Sequence, residues 1–99
     1  MLEIRLEKSF QKDIERDKQS GKYAKEDFEE LKSIIKQLQD GEEIDKKYKR
    51  HPLKGRMLDM ESIHIRNDWL LIFSVDENFL NLIMLGKHTE TVKNSVSIR

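Results

Sequence analysis

The stretch WLLIFSVDENFLNLIML, residues 69–85, decides the fold of this 99-residue chain. It contains two apolar segments separated by the turn-forming triplet Asp76-Glu77-Asn78, and Gly86 follows the second segment. Segments that are apolar on both faces are typical of central strands, and a short polar connection joins antiparallel neighbours. The sequence therefore predicts a hairpin of two buried strands that ends at the glycine.

A third strand is predicted just before this hairpin, over residues 57–66. Its apolar and polar side chains alternate, so that they lie on opposite faces of the sheet. The apolar face carries Ile63 and Ile65, and the polar face carries Ser62, His64 and Arg66. Asn67-Asp68 is a turn signal that connects this strand to the next one.

The N-terminal part of the chain predicts one more strand and two helices. Residues 2–7, LEIRLE, alternate as a half-buried strand does. Ser9 is a candidate N-cap for a first helix over residues 10–19. A second helix over residues 24–39 has an apolar stripe with the spacing of an amphipathic helix.

The element order β-α-α-β-β-β predicts an α+β fold of two layers, in which two helices cover one face of an antiparallel sheet. The open face of that sheet would then carry His64 and Arg66. The length fits a single domain over residues 1–99, with residues 89–99 as a polar tail.

The composition excludes several kinds of protein. The chain has no cysteine, which excludes disulfides, thiolate ligands and a cysteine nucleophile and fits a reducing compartment. No apolar run approaches the ~18–20 residues of a membrane span. The N-terminus also lacks the pattern of a secretory signal, so the expected location is the cytoplasm.

The charges are unevenly distributed although their sum is zero. Residues 1–45 contain nine basic and thirteen acidic side chains, whereas residues 46–99 contain ten and six. One stretch of the second part is basic and has no acid; its charged residues are Lys46, Lys47, Lys49, Arg50, Lys54 and Arg56. Such a patch attracts polyanions, although a solvated surface loop has the same composition.

The three histidines, His51, His64 and His88, are candidate acid–base residues at the edges of predicted elements. Imidazole exchanges protons near neutral pH, and Lys and Arg stabilise charge on a phosphoryl group. Together these groups fit cleavage of RNA by its own 2′-hydroxyl, which needs neither a metal, nor a cofactor, nor a protein nucleophile. Asp68 would orient a histidine or act as the base.

Other assignments of the histidines stay open at this point. Their spacing does not exclude a three-histidine metal site, although neither an HExxH pair nor a Gly-rich phosphate loop is present. Each histidine by itself also fits a solvated or turn-capping residue. The combination of three histidines with a basic loop favours the nuclease hypothesis.

Several strings resemble the YafQ-type branch of the RelE/ParE toxin superfamily: YKRHPLKG (48–55), DWLLIF (68–73) and LGKH (85–88), with His64 between them. The resemblance implies a RelE-like fold and a toxin of a type II toxin–antitoxin system. Such toxins cut mRNA in the ribosomal A site. The implied partners are the ribosome, mRNA and a cognate antitoxin that forms a hetero-oligomer with the toxin.

The resemblance also implies roles for single residues. Acid–base and positioning roles fall on His51, His64, Asp68 and His88, and no metal ligand is implied. RNA phosphates would be bound by the basic residues of the loop and by Arg66. Trp69 is expected to be a core residue rather than a base-stacking one.

Two positions depart from the pattern of the family. Relatives often carry an acid where this chain has Ser62, and an aromatic residue near Val92. These departures keep open the alternative of a decayed toxin that serves as a protein-binding module. A second alternative is a toxin of the same fold that acts by binding, as the gyrase-poisoning branch does, although the histidine pattern argues against it.

Overall fold

The computed structural model describes residues 1–55, 59–66 and 68–87. Its elements are β1 Glu3–Leu6, α1 Lys8–Ser20, α2 Lys25–Gln39, a 3₁₀ turn Lys46–Tyr48, β2 His51–Pro52, β3 Glu61–Arg66, β4 Trp69–Val75 and β5 Phe79–Lys87. The strands form one sheet in the order β1-β5-β4-β3-β2. Residues 57–58 of the predicted third strand and Asn67 of the predicted turn lie outside the described residues.

The structure confirms the predicted α+β class and adds two details to the sheet. The three long strands β3, β4 and β5 are antiparallel neighbours, as predicted. The prediction that the hairpin ends at the glycine was wrong, because Gly86 and Lys87 still pair with β4 and β5 therefore extends to Lys87. β1 joins the outer side of β5 in parallel, so the sheet is mixed. The two-residue strand β2 pairs with β3 and extends the opposite edge.

The two faces of β4 contribute to separate apolar clusters. Trp69, Leu71 and Phe73 pack with residues of α1 and α2, which places both helices on one face of the sheet. Leu70 and Ile72 pack on the other face, where the cover comes from a different part of the chain, around Leu53. Burying one such side chain contributes roughly 1.5–3 kcal/mol, so β4 holds the two layers together.

Two predictions for the N-terminal elements were wrong in detail. Ile4 and Leu6 of β1 remain 40% and 50% exposed, and β1 is an edge strand of the sheet. The N-cap of α1 is Glu7, which makes no side-chain capping bond. Ser9 lies inside the helix, and its hydroxyl donates to the carbonyl of Ile83 in β5.

Polar side chains of α1 form hydrogen bonds with the backbone of β5 on its outer side, beyond the part that pairs with β1. β1 pairs with only the first part of β5, and α1 supplies hydrogen-bond partners further along. Asp13 accepts from the amide of Leu85 at 3.0 Å, and Arg16 donates to the carbonyl of the same residue at 2.7 Å. These bonds satisfy strand groups that would otherwise lack a partner, and they fix α1 across the sheet edge.

A buried carboxylate fixes the only tryptophan in the core. Asp17 is 5% exposed and accepts the indole N–H of Trp69 at 2.8 Å. Arg16 donates to the other oxygen of Asp17 at 3.0 Å, so the buried charge is paired. Trp69 itself is 0% exposed, which confirms the prediction of a core residue. Among the described residues, no helix is long and apolar enough to cross a membrane.

We expect Asp17→Ala to lower the free energy of unfolding by about 2–4 kcal/mol, because the indole N–H and Arg16 both lose a buried acceptor. Urea denaturation followed by tryptophan fluorescence measures this loss. Asp17→Asn, which keeps an acceptor, should lose less. The control is Asp40→Ala, which breaks an exposed pair with Lys36 and should cost below about 1 kcal/mol. Equal losses at both positions would contradict the assigned role of Asp17.

Candidate functional site

A β-bulge in β3 separates two side chains that the sequence places on one face. The register with β4 shifts between His64, which lies opposite Leu70, and Arg66, which lies opposite Trp69. Leu70 belongs to the cluster around Leu53, on the face away from the helices, and Trp69 belongs to the cluster that packs against the helices. The prediction that Arg66 shares the open face was therefore wrong, because a bulge breaks the strict alternation of a strand.

On the helix side, Arg66 pairs with two acids of α2. Its guanidinium forms an ion pair with Asp27 and lies 3.4 Å from Glu30. The hydrogen bond that Arg66 donates to Asp27 raises the pKa of Arg66 further above its ordinary value. The pKa of Asp27 is held below its usual range, chiefly by the hydrogen bond from the backbone amide of Ala24. The hydrogen bond and the positive charge of Arg66 lower it further. Much of the charge of Arg66 is thus balanced within the protein.

His51 has a defined orientation although its side chain is exposed. Its Nδ1 lies 2.8 Å from the carbonyl oxygen of Lys49, and because a carbonyl only accepts, Nδ1 carries a proton. Nε2 lies 3.2 Å from the hydroxyl oxygen of Ser62, which is 1% exposed. In the neutral imidazole, Nε2 is therefore the nitrogen with the lone pair, and Ser62 donates to it.

Strand pairing brings His51 next to His64. His51 lies opposite Ser62 in the β2–β3 register, two positions before His64 on the same strand. The centroids of the two imidazole rings are 6.2 Å apart. Two of the four predicted catalytic residues are therefore neighbours. His88 and the loop residue Arg56 lie outside the described residues.

A cavity of about 440 Å³ opens beside His64, between α2, the 3₁₀ turn and the β3–β4 connection. Its lining includes His64, Asp68, Lys47, Lys49, Tyr48 and Glu30. Asp68, the third predicted catalytic residue, thus shares a cavity with His64. The three-histidine metal alternative includes His88, and the described part of the chain holds no group of three ligands arranged for a metal.

Tyr48 and Glu30 form a short hydrogen bond in the site. The Tyr48 hydroxyl donates to Glu30 at 2.6 Å, and this bond to a carboxylate raises the pKa of Tyr48 to about 12. The amino group of Lys47 lies 5.1 Å from the centre of the Tyr48 ring. The sequence pattern does not distinguish Glu30, because an acid on the polar face of a helix looks like any solvated residue.

The loop lysines are exposed, whereas one loop arginine is paired. Lys46, Lys47, Lys49 and Lys54 are all exposed to solvent. Arg50 forms two hydrogen bonds with the carboxylate of Glu61 in β3, at 2.7 and 3.1 Å. Among the described residues of this loop, the lysines are therefore the positive charges most available to a ligand.

With two helices on a mixed sheet and a histidine pair beside a lysine-rich loop, the chain has the fold of the RelE-like toxins. It belongs to the YafQ family, since the family model for the bacterial toxin of type II toxin–antitoxin systems, YafQ, matches residues 2–93. A putative toxin RelE4 from Methanocaldococcus jannaschii is 32% identical over 87 residues, which cover 86% of this chain and 82% of that protein.

Solved structures show the same fold. The metal-bound toxin from Helicobacter pylori superposes with a TM-score of 0.80 at 34% identity, covering 91% of this chain and 98% of that one. The DinJ–YafQ complex from E. coli contains a chain that superposes with a TM-score of 0.79 at 24% identity, covering 91% of this chain and 97% of that one.

We expect the phenol of Tyr48 to titrate with a pKa of about 12, against an ordinary value of 10.0. Glu30→Gln should lower this pKa, because the hydrogen bond to Glu30 is its largest cause. Phenolate absorbance during a pH titration measures it, and Tyr48→Phe identifies the signal, since Tyr23 is the only other tyrosine.

The same shift predicts a pH dependence of stability. The folded state holds the Tyr48 proton more tightly than the unfolded state does, so the stabilisation is present below pH 10 and is lost as the pH rises through about 12. The difference in stability between the wild type and Glu30→Gln should therefore shrink over that range. A titration of Tyr48 that Glu30→Gln leaves unchanged would rule out this pairing in solution.

Proposed function

We propose that this chain is a ribosome-dependent endoribonuclease, the toxin of a type II pair, and that residues 1–99 form one toxin domain. The observation that carries the proposal is the approach of the His51 and His64 rings to 6.2 Å, next to a cavity that Asp68 lines. An action on translating ribosomes implies the cytoplasm as its location.

The proposed reaction uses the 2′-hydroxyl of the RNA as the nucleophile. A base removes the proton from this hydroxyl, the 2′-oxygen forms a bond to phosphorus, and the bond to the 5′-oxygen breaks. An acid protonates the leaving 5′-oxygen, so the products are a 2′,3′-cyclic phosphate and a free 5′-hydroxyl. Imidazoles suit both steps, and a positioned acid or base contributes typically 10²–10⁴-fold.

The geometry of His51 favours the role of base. Its Nδ1 proton is committed to the Lys49 carbonyl, so Nε2 is the nitrogen that can accept a proton. Ser62 donates to Nε2 in the free protein, and the substrate hydroxyl would replace it. His64 or His88 would then protonate the leaving oxygen, and Asp68 would orient one of them.

Phosphate binding is proposed for the basic residues predicted from the sequence, with the exposed lysines Lys46, Lys47, Lys49 and Lys54 as the main contributors. Arg50 and Arg66 are engaged with acids, so each would have to exchange a partner to bind RNA. Affinity that rests on such phosphate contacts falls steeply with salt concentration. Because the net charge of the whole chain is zero, attraction to RNA must come from a local excess of positive charge. We therefore propose this basic patch as the contact with mRNA and ribosomal RNA.

The proposed protein partner is a cognate antitoxin. E. coli YafQ is solved in a complex with DinJ, and this chain has the same fold. An antitoxin that covers the exposed lysines and His51 would block access of mRNA to the site. We infer a toxin–antitoxin hetero-oligomer on this basis.

One observation favours the alternative of a toxin that acts by binding alone. Ser62 occupies the position where the family resemblance leads us to expect an acid, and its hydroxyl lies 3.2 Å from Nε2 of His51. A neutral hydroxyl cannot stabilise an imidazolium as a carboxylate does. In that alternative, expression would leave mRNA intact and act through protein binding, for example by inhibiting DNA replication through gyrase.

We expect mRNA added to a translation reaction with the purified chain to be cut at codons, as primer extension of 5′ ends will show. His51→Ala and His88→Ala should each reduce cleavage by about 10²–10⁴-fold, because each removes an acid–base group. Lys12→Ala, an exposed change on α1, is the control and should cut normally. Naked mRNA should stay intact.

Any of three outcomes would sink the nuclease proposal. The first is cleavage at the wild-type rate by both histidine variants. The second is uncut mRNA together with growth arrest, which would select the binding toxin. The third is uncut mRNA together with harmless expression of folded protein, which would indicate a decayed toxin.

A further inference from the structure

The cavity beside His64 has the size and lining of a site for a small polar ligand. Its volume of about 440 Å³ lies within the roughly 300–1,000 Å³ of typical ligand sites. One wall is the half-buried ring of Tyr48, and Lys47 and Lys49 contribute two cations. An aromatic surface with adjacent cations is the combination that binds single-stranded nucleic acid.

Glu30 is the acceptor in this cavity, and its orientation is fixed from two sides. Its side chain is 23% exposed, and Tyr48 donates to Oε2 at 2.6 Å. Arg66 lies 3.4 Å from Oε1. An ionised carboxylate has about four lone-pair sites, so both oxygens can each accept one more hydrogen bond. A carboxylate held in this way presents two adjacent acceptors to a ligand.

We propose that the cavity binds an unstacked guanine base of single-stranded RNA, with N1–H and N2–H donating to Glu30. The base would lie against Tyr48, and its phosphate near Lys47 and Lys49. This inference rests on the proposed function, because it names the base that is read next to His64 and Asp68. Base contacts of this kind carry sequence preference, whereas phosphate contacts do not.

The choice of guanine follows from the donor pattern of the four RNA bases. Its Watson–Crick edge presents two neighbouring donors, which match the two oxygens of a carboxylate. Adenine and cytosine place a ring acceptor next to their amino group, and uracil flanks its single donor with two acceptors. The negative charge of Glu30 repels those acceptors. Tyr48 is protonated at physiological pH and can keep donating to Glu30, since even the ordinary tyrosine pKa of 10.0 lies well above that pH.

The test is a titration of the isotope-labelled protein with 5′-GMP, 5′-AMP, 5′-CMP and 5′-UMP, followed by NMR. We expect GMP to shift the amide signals of Tyr48 and His64 and to bind about tenfold more tightly than the other three nucleotides. Equal affinity for all four nucleotides, or shifts confined to residues away from the cavity, would overturn the proposal.

A matched pair of variants on α2 isolates the carboxylate. Glu30→Gln should abolish the roughly tenfold preference for GMP, whereas Glu29→Gln should retain it. Glu29 is exposed and lies one residue away, so its substitution makes the same change in charge outside the cavity. If Glu30→Gln does not fold, Glu30→Asp keeps the charge but retracts the oxygens and should lose the preference too. A preference that survives the change at Glu30 would contradict the inference.

The nucleotide titration can fail independently of the nuclease assay, because it needs neither a ribosome nor a cleavage step. Selective binding of GMP without cuts in mRNA would remove the nuclease proposal and leave the base pocket. Cuts that show no preference for guanine, together with equal binding of the four nucleotides, would remove the pocket and leave the nuclease.

Discussion

The burial of the first five residues of β4 is the constraint on which the rest of the structure depends. Residues 69–73 are at most 1% exposed, with helices on one face and the Leu53 cluster on the other. A strand buried in this way must have a neighbour on each side to satisfy its backbone groups, and β3 and β5 are those neighbours. The candidate site is assembled at one end of this three-strand unit.

The bulge in β3 decides what this end of the sheet offers to a ligand. It turns Arg66 toward Asp27 and Glu30, so that a cation expected to bind RNA becomes an internal ion pair. The same pairing orients Glu30, to which Tyr48 also donates. The bulge therefore places Arg66 on the helix side of the sheet instead of the predicted open face. There its guanidinium helps to orient the carboxylate of Glu30 in the cavity.

Helix α1 shows a second way in which polar residues serve the sheet. Its apolar stripe is thin, and a helix this polar is held by tertiary contacts rather than by its own propensity. Those contacts are the hydrogen bonds of Asp13 and Arg16 to Leu85, and the bond of Asp17 to the buried indole. They connect α1 to the last residues of β5 and the first residue of β4, where the sheet borders the candidate site.

The sequence by itself determined the α+β class, the helices to within about two residues, the central hairpin and the core position of Trp69. Each of these follows from local periodicity, turn residues or apolar runs, which a single chain segment displays. The family resemblance of the strings around His51, Asp68 and Gly86 was equally readable, because it rests on residue identities alone.

Only the tertiary structure decided the parallel pairing of β1, the role of Ser9, the bulge and the partners of Arg66. It also decided that His51 contacts Ser62 and that Glu30 enters the cavity. The physical reason is that these features depend on pairs distant in sequence. Glu30 and Tyr48 are 18 residues apart, and Arg66 and Asp27 are 39 apart. A periodic pattern specifies which face a residue occupies, but not which side chain it meets there.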